Sequence, residues 1–338
     1  MLSLAKYSQS LVVMGRGKVP PTCTPTTLRT GPIALPRWPQ STPHSSGNPI
    51  SPTVTTHTHG GTAVGNAIIG KGANEKPIHY EGPNDLYLKW AGLQPERMPK
   101  HVMVMLDGNR RWCEKNGTEL TYEPFYRRYI TLADLCIKLG IPTATCSVFS
   151  TCTWKRSDEA TDFIFRQFQT SLEDNLEKFT RQQNVSVDGN RQGIKVSMLG
   201  ERGRLPKFLQ DTVQRVEEAT KNGKTLHMIY HMSYGGRWDI LEAARSIVKK
   251  AMDAEIEPED VDEALVEEHL STGRVMAHVP NPDLMVRCGG KRRFSNFYLW
   301  QLAYAELYFS DLLAPDFGEV EFLDALRWFQ RSGRRFGK

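Results

Sequence analysis

The sequence predicts an α/β fold, a mostly parallel central sheet flanked by helices in a single catalytic-sized domain, and three observations carry that expectation. From about Arg97 onward, short apolar runs alternate with longer segments of helical period. One of those segments carries its own start signal and an unbroken apolar stripe. The apolar runs end in polar, glycine-containing turns, the place where parallel α/β sheets bind ligands.

In chain order, residues 1–74 contain no Asp or Glu but six Lys or Arg, with abundant Ser, Thr and Pro and no apolar periodicity. Cationic, acid-poor and hydroxyl-rich composition predicts an organelle transit peptide, and the Thr, Pro and Gly content favours a plastid over a mitochondrion. Residues 75–96 are expected to be a linker, and 97–338 the catalytic domain. From residue 75 on there are 37 basic and 38 acidic residues, a formal charge of −1, so the whole-chain charge of +5 belongs to the leader. No apolar run approaches the ~18 residues of a membrane span. The six cysteines show no CxxC pair and no His at metal-ligand spacing, which argues against a zinc site or a disulfide framework.

Strands are expected at 101–106 (HVMVML), 143–149 (TATCSVF), 194–200 (IKVSMLG), 225–232 (TLHMIYHM), 283–288 (DLMVRC) and 306–310 (ELYFS). Between the second and third, Ser157 is an N-cap followed by Asp158 and Glu159. Phe165, Phe168, Leu172, Leu176 and Phe179 then recur at spacings of 3, 4, 4 and 3, the stripe of an amphipathic helix.

The first strand runs out in Asp107 and Gly108, with Asn109 to Trp112 in the following turn. A glycine-containing strand-to-helix turn can present N–H groups to an anion, and Arg110 and Arg111 add positive charge. A carboxylate beside an anion site needs a cation between them, and Mg²⁺ is the usual one, held by a carboxylate or two plus phosphate oxygens. Alone, the motif also fits an ordinary turn in which Asp107 caps a helix. The stretch VRCGGKRRFSNF repeats the pattern after a later strand, with Arg287, Lys291, Arg292, Arg293 and the Ser295 hydroxyl. Two such loops suggest two anionic groups. A nucleic-acid patch is the competing reading, disfavoured by the neutral-to-acidic domain. Trp154 and Arg156, then Arg237 and Trp238, sit at two other strand ends and serve packing as readily as ligand.

Familiar phosphate motifs are missing. Glu218 stands where the first glycine of a P-loop would be, no GxGxxG follows a strand, and there is no DDxxD pair.

Four stretches in order, HVMVMLDGNRRW, FSTCTWKRS, SYGGRWD and RCGGKRRFSNFYLWQLAYAELYF, resemble the motif set of the cis-prenyltransferases, or polyprenyl diphosphate synthases, over about Met98 to Arg335. The resemblance implies a homodimeric, Mg²⁺-dependent enzyme with a parallel α/β sheet and an apolar tunnel, acting on isoprenoid diphosphates. It implies Asp107 as the metal-associated aspartate, with Gly108, Asn109 and Arg111 as the allylic diphosphate cradle. Arg110 matches plant-like members. Arg287, Arg293 and Ser295 resemble the clamp on isopentenyl diphosphate, and Glu306 its acidic, metal-linked partner. Trp112 and Arg156 are further candidate substrate contacts.

Departures accompany the match. Where the family reads SSENW or STENW, this chain has Thr151, Cys152 and Thr153, so a hydroxyl, Thr153, replaces the catalytic amide. The usual GHK is Glu123, Pro124 and Phe125, and Lys291 stands where Glu is common. Three readings follow: regular cis elongation, irregular head-to-middle coupling of two dimethylallyl units as in lavandulyl diphosphate synthases, or a non-catalytic subunit. Asp107, retained, argues against the last. Chain length is expected to depend on how the 158–180 helix and the 182–193 segment pack.

Overall fold

The computed structural model describes residues 83–180, 193–276 and 278–334, so the 1–74 leader and all but Gly193 of the 182–193 segment lie outside the described residues. Six strands form one all-parallel sheet: β1 (His101–Met105), β2 (Thr143–Ser150), β3 (Ile194–Leu199), β4 (Leu226–Tyr234), β5 (Leu284–Arg287) and β6 (Glu306–Phe309), in the order β3-β4-β2-β1-β5-β6. Each of the six expected strands is present. Their continuous apolar runs reflect burial on both faces, as parallel sheets require.

The two faces take alternate residues. Val102, Val104 and Leu106 of the first strand region join the larger core, with Met103 and Met105 on the other side. Over the larger core lie α3 (Glu123–Lys138), α4 (Asp158–Asp174), α5 (Leu176–Thr180), α6 (Lys207–Thr220) and α10 (Glu319–Arg331). The second face packs on the 297–302 turn and Met276, in the region of α7 (Gly236–Met252), α8 (Glu263–His269) and α9 (Ser271–Met276). The helix expected from Ser157 starts there, with the Ser157 hydroxyl accepting from the Ala160 amide at 3.3 Å. It breaks at Asn175 into α4 and α5. Phe165, Phe168, Leu172 and Phe179 are all buried.

The linker expected at 75–96 does not hold for its second half. Residues Pro83–Trp90 form α1, and Leu88, Ala91 and Leu93 are buried in the main core. The Gln330 amide exchanges hydrogen bonds of 2.9 and 2.8 Å with the Gln94 backbone, and Arg327 Nε reaches the Ala91 carbonyl at 2.8 Å. A helix this short has little stability of its own. Its docking on α10, remote in sequence, makes it part of the domain.

β1 lies at a topological switch point. The chain leaves β1 toward the α3 face through α2 (Asn109–Asn116), whereas it leaves β5 toward the opposite face through the 288–305 loop. Loops that part in opposite directions open a crevice at the carboxyl ends of adjacent strands. Asp107 and Arg287 stand at its two edges.

Candidate active site

Met105 is in register with Arg287, so Asp107, two residues on, hangs over the end of β5. Arg287 is buried, 2% exposed. Its Nη2 donates to Asp107 Oδ2 at 3.0 Å, while Nη1 donates to Ser295 Oγ at 2.6 Å and to the Arg293 carbonyl. From the other side, Arg111 Nη2 reaches Asp107 Oδ1 at 3.4 Å and the Gly289 carbonyl at 3.0 Å. The two cationic loops, 180 residues apart, thus meet on one carboxylate. A planar fork that serves three partners is a task for arginine and not for lysine.

Two glycines make the approach possible. Gly108 has φ +99°, and a Cβ there would lie 2.6 Å from Leu313 Cδ2; Gly289 has φ +89°, and its Cβ would lie 2.8 Å from both Cβ and the carbonyl oxygen of Asp107. Left-handed backbone and close packing together demand glycine. Beneath Gly289, the Asp107 amide points at Cys288 Sγ at 3.3 Å, and burial pushes that thiol up to about 11, so it stays protonated.

Ser295, Asn296 and Tyr298 all have positive φ, 49°, 65° and 42°. This tight turn aims Ser295 at Arg287. Asn296 fastens it: its carbonyl accepts from the Gly236 amide at 2.5 Å and its Oδ1 from the Arg237 amide at 2.9 Å, capping α7. The SYGGRWD stretch therefore anchors the clamp through backbone, and Gly235 is needed because a Cβ there would lie 2.4 Å from Thr151 Oγ1.

A cavity of about 300 Å³ opens at the start of α2. Its lining includes Asp107, Gly108, Asn109, Arg110, Arg111, Thr153 and Arg156, with Leu106, Phe125, Val148 and Ile164 as the apolar part. Asn109 is buried. Its Nδ2 donates to the Thr121 carbonyl at 2.6 Å, while Oδ1 has no protein partner. Arg156 Nη1 rests on the Tyr122 hydroxyl at 3.1 Å. A β-bulge between Ser147 and Phe149 accompanies the placement of Val148 on the cavity wall.

Other expected residues fall elsewhere. Trp112 does not line the cavity: its indole donates to Asp316 Oδ1 at 2.7 Å. Thr153 lines it, yet its Oγ1 already serves the Ser150 amide at 3.3 Å and the Ser150 hydroxyl at 2.9 Å, two of the three valences a hydroxyl offers. Arg293 contributes its carbonyl to Arg287, while its side chain is exposed. Glu306 lies far from Asp107 within the chain. It pairs in register with Leu284, itself level with Val102, so it lies at the amino end of the sheet. Five residues of strand separate that level from Asp107, roughly 16 Å at the usual rise. Within one chain the two do not share a metal. Phe125, with the rings of Tyr126 and Tyr129 each 5.1 Å from its own, forms part of the cavity wall. Phe125, Asn296 and Gly289 were not singled out by sequence as site residues, although Phe125 is one of the motif departures.

A magnesium ion fits here in one form. Among the described residues no group of three His, Cys, Asp or Glu could cage a metal. Asp107, a single carboxylate with its side chain 38% exposed toward the crevice, matches an ion that arrives on a diphosphate and keeps most of its ligands from phosphate and water.

A cationic crevice at a switch point, with Leu106, Phe125, Val148 and Ile164 on part of its wall, suits an α/β enzyme that handles an anionic substrate. Residues 105–337 match the family model described as undecaprenyl diphosphate synthase. The chain is 43% identical over 247 residues to dehydrodolichyl diphosphate synthase 4 of Arabidopsis thaliana, covering 72% of this chain and 81% of that one. It is 40% identical over 244 residues to the chloroplastic (2Z,6Z)-farnesyl diphosphate synthase of Solanum lycopersicum, covering 72% and 80%. Among solved structures, lavandulyl diphosphate synthase from Lavandula x intermedia in complex with dimethylallyl diphosphate superposes with a TM-score of 0.66 at 34% identity, covering 72% of this chain and all of that one. The chain belongs to the undecaprenyl diphosphate synthase, or cis-prenyltransferase, family and is a transferase of prenyl groups.

Proposed function

We propose that this enzyme transfers the allylic group of a short prenyl diphosphate, such as dimethylallyl diphosphate, to isopentenyl diphosphate, giving a cis-prenyl diphosphate and free diphosphate. The observation that carries the reading is the Asp107 carboxylate held between Arg111 and Arg287 at the mouth of an apolar-backed cavity. In the reaction the allylic C1–O bond breaks toward the departing diphosphate, the homoallylic double bond attacks C1, and the isopentenyl unit loses a proton from its own C2 to a phosphate oxygen or water. The main demand is to stabilise charge on the leaving oxygen in a site that excludes water.

Arg111, Arg110 and the amides at the start of α2 hold the ionising diphosphate. Arg287, Ser295 and Arg293 hold the acceptor diphosphate. Asn109 offers its unpaired Oδ1 toward the reacting groups, and Arg156 closes the rim. Thr153 is a wall residue with one free valence for a water or for the acceptor. Mg²⁺ bound through Asp107 would neutralise diphosphate charge. The reading includes a plastid location, supported by the acid-free leader and by chloroplastic relatives, and a homodimer, supported by the family resemblance.

Irregular head-to-middle coupling is the second reading, favoured by Thr153 and Pro124 in place of the family's amide and histidine and by the likeness to lavandulyl diphosphate synthase. One experiment separates them. Protein from residue 75 onward is given Mg²⁺ and dimethylallyl diphosphate, with and without isopentenyl diphosphate. Linear cis product that requires isopentenyl diphosphate supports regular condensation. Branched C10 product from dimethylallyl diphosphate alone supports irregular coupling, and no prenyl product from folded protein refutes both.

A further inference from the structure

The underside of the acceptor clamp carries an inference about what holds Ser295 in place, which rests on the prenyl-transfer reading above. Ser295 and Asn296 are the two central residues of a turn closed by the Phe297 amide, which donates to the Phe294 carbonyl at 3.0 Å. Their φ values, 49° and 65°, are those of a type I′ turn, whose usual central pairs are Asn-Gly, Asp-Gly or Gly-Gly and not Ser-Asn. Tyr298 follows at φ 42°. Backbone of this kind persists only where its surroundings over-determine it. Asn296, bonded to the start of α7, supplies one constraint. The Phe297–Tyr298 end needs another.

That end rests on His231, which is 0% exposed. Along β4, Met228, Tyr230 and Met232 join the larger core, so the alternate positions Ile229 and His231 turn to the second face. Ser233, at φ 54°, breaks the alternation, and Tyr234 joins that second face as well. Three near-parallel rings gather there. His231 lies 4.1 Å from Tyr234 at 18° and 5.6 Å from Phe297 at 1°, while Tyr234 and Phe297 are 6.1 Å apart at 17°. Tyr298 stands edge-on to His231 at 4.2 Å and 83°. The two shortest distances in this cluster both belong to His231, so it is the ring on which the turn sits. Tyr234 is a firm base, because its hydroxyl donates to Asp239 Oδ2 of α7 at 2.7 Å.

The imidazole does not act through its nitrogens. Neither has a partner among the described residues, and burial, with His101 adding to it, holds the ring well below the ordinary 6.5 and therefore neutral. What it offers its neighbours is a flat aromatic surface.

We propose that His231 is a positioning residue for the acceptor clamp: its ring seats Phe297 and Tyr298 and so keeps the Ser295 hydroxyl 2.6 Å from Arg287 Nη1. Without the ring the turn loses its support on β4. Ser295 then relaxes away from Arg287, and a diphosphate held there loses a donor.

Calorimetric titration with isopentenyl diphosphate and with inorganic diphosphate reads the clamp without turnover. His231→Ala, and His231→Asn, which keeps a polar side chain without the ring, should each weaken isopentenyl diphosphate binding about tenfold, the size of one lost charge-assisted hydrogen bond. KM for isopentenyl diphosphate should rise by the same factor, with KM for dimethylallyl diphosphate unchanged. His231→Phe, which keeps a ring, should restore wild-type affinity. Combined with Ser295→Ala, His231→Ala should add little further loss, because the hydroxyl it positions is already gone. His231→Leu takes the place of Ala if that variant does not fold. A folded ringless variant with wild-type affinity, an equal rise in both KM values, or full additivity with Ser295→Ala would overturn the assignment. A wild type that binds inorganic diphosphate with this dependence on His231, yet not isopentenyl diphosphate, refutes the transfer reading and leaves the positioning role standing. A wild type that binds neither removes the clamp and the proposal with it.

Discussion

Replacing Asp107 by Asn keeps the shape of the side chain and removes its charge, and the structure sets what that should cost. The partner left behind is Arg287, 3% exposed at its side chain, 3.0 Å from the carboxylate, with only a hydroxyl and a carbonyl as its other partners. Removing one member of a fully buried pair costs 3–5 kcal/mol and an exposed pair is worth 0–1. This pair is asymmetric. The carboxylate is 38% exposed, so water screens one half, and the guanidinium is buried, so an intermediate cost of about 2 kcal/mol is expected. For a domain of this size that is a drop in melting temperature of about 4–8 °C. Turnover should fall on the order of 10²–10³-fold, because on the proposed reading the variant loses the carboxylate that would hold Mg²⁺. Calorimetry gives the first number and incorporation of labelled isopentenyl diphosphate the second. A double-mutant cycle with Arg287→Met isolates the pairwise part. A melting temperature within about 1 °C of wild type would show that Asp107 does not compensate Arg287. Near-normal turnover would remove Asp107 from the chemistry.

Two further outcomes follow from backbone geometry and buried histidines. Gly289→Ala should destabilise by about 1–3 kcal/mol and weaken diphosphate binding, since the added methyl combines a φ of +89° with a 2.8 Å approach to Asp107; a denaturant midpoint equal to wild type would refute the close approach. Acid should destabilise the domain below pH 6.5. Burial holds His101 and His227 down at about 4 from the ordinary 6.5, so between pH 6.5 and 4 the unfolded chain binds more protons than the folded one and stability falls as pH drops through that window. The full contribution is present above 6.5, and fully buried His101 alone accounts for up to ~3 kcal/mol. A pH–stability profile for His101→Gln should be flatter over that range, and an unchanged slope would refute its part.

Much of the frame was legible because parallel strands buried on both faces leave unbroken apolar runs, and all six appeared where those runs lie. The 158–180 stripe was equally legible, because its period follows from helix geometry alone. The helix α1 was not, since an eight-residue segment signals nothing until Leu88 and Leu93 find α10. Trp112 and Glu306 lie apart from the cavity for a related reason. A motif says which residues recur together, while the partner of an indole or the end of the sheet to which a strand's first residue belongs is set by neighbours far along the chain.

By itself the sequence determined the class of the protein: a parallel α/β domain with two cationic, glycine-bearing loops at strand ends and an acid-free leader. Those are local properties, fixed by residue type and short-range spacing. Only the tertiary structure decided that the two loops converge on one carboxylate, that Asn296 locks the clamp to α7, and that Phe125 joins the cavity wall with Tyr126 and Tyr129 packed against it. Each of these depends on strand order and on which side chains fill a shared volume, and close packing among residues remote in sequence leaves no periodicity for a reader of the chain to find.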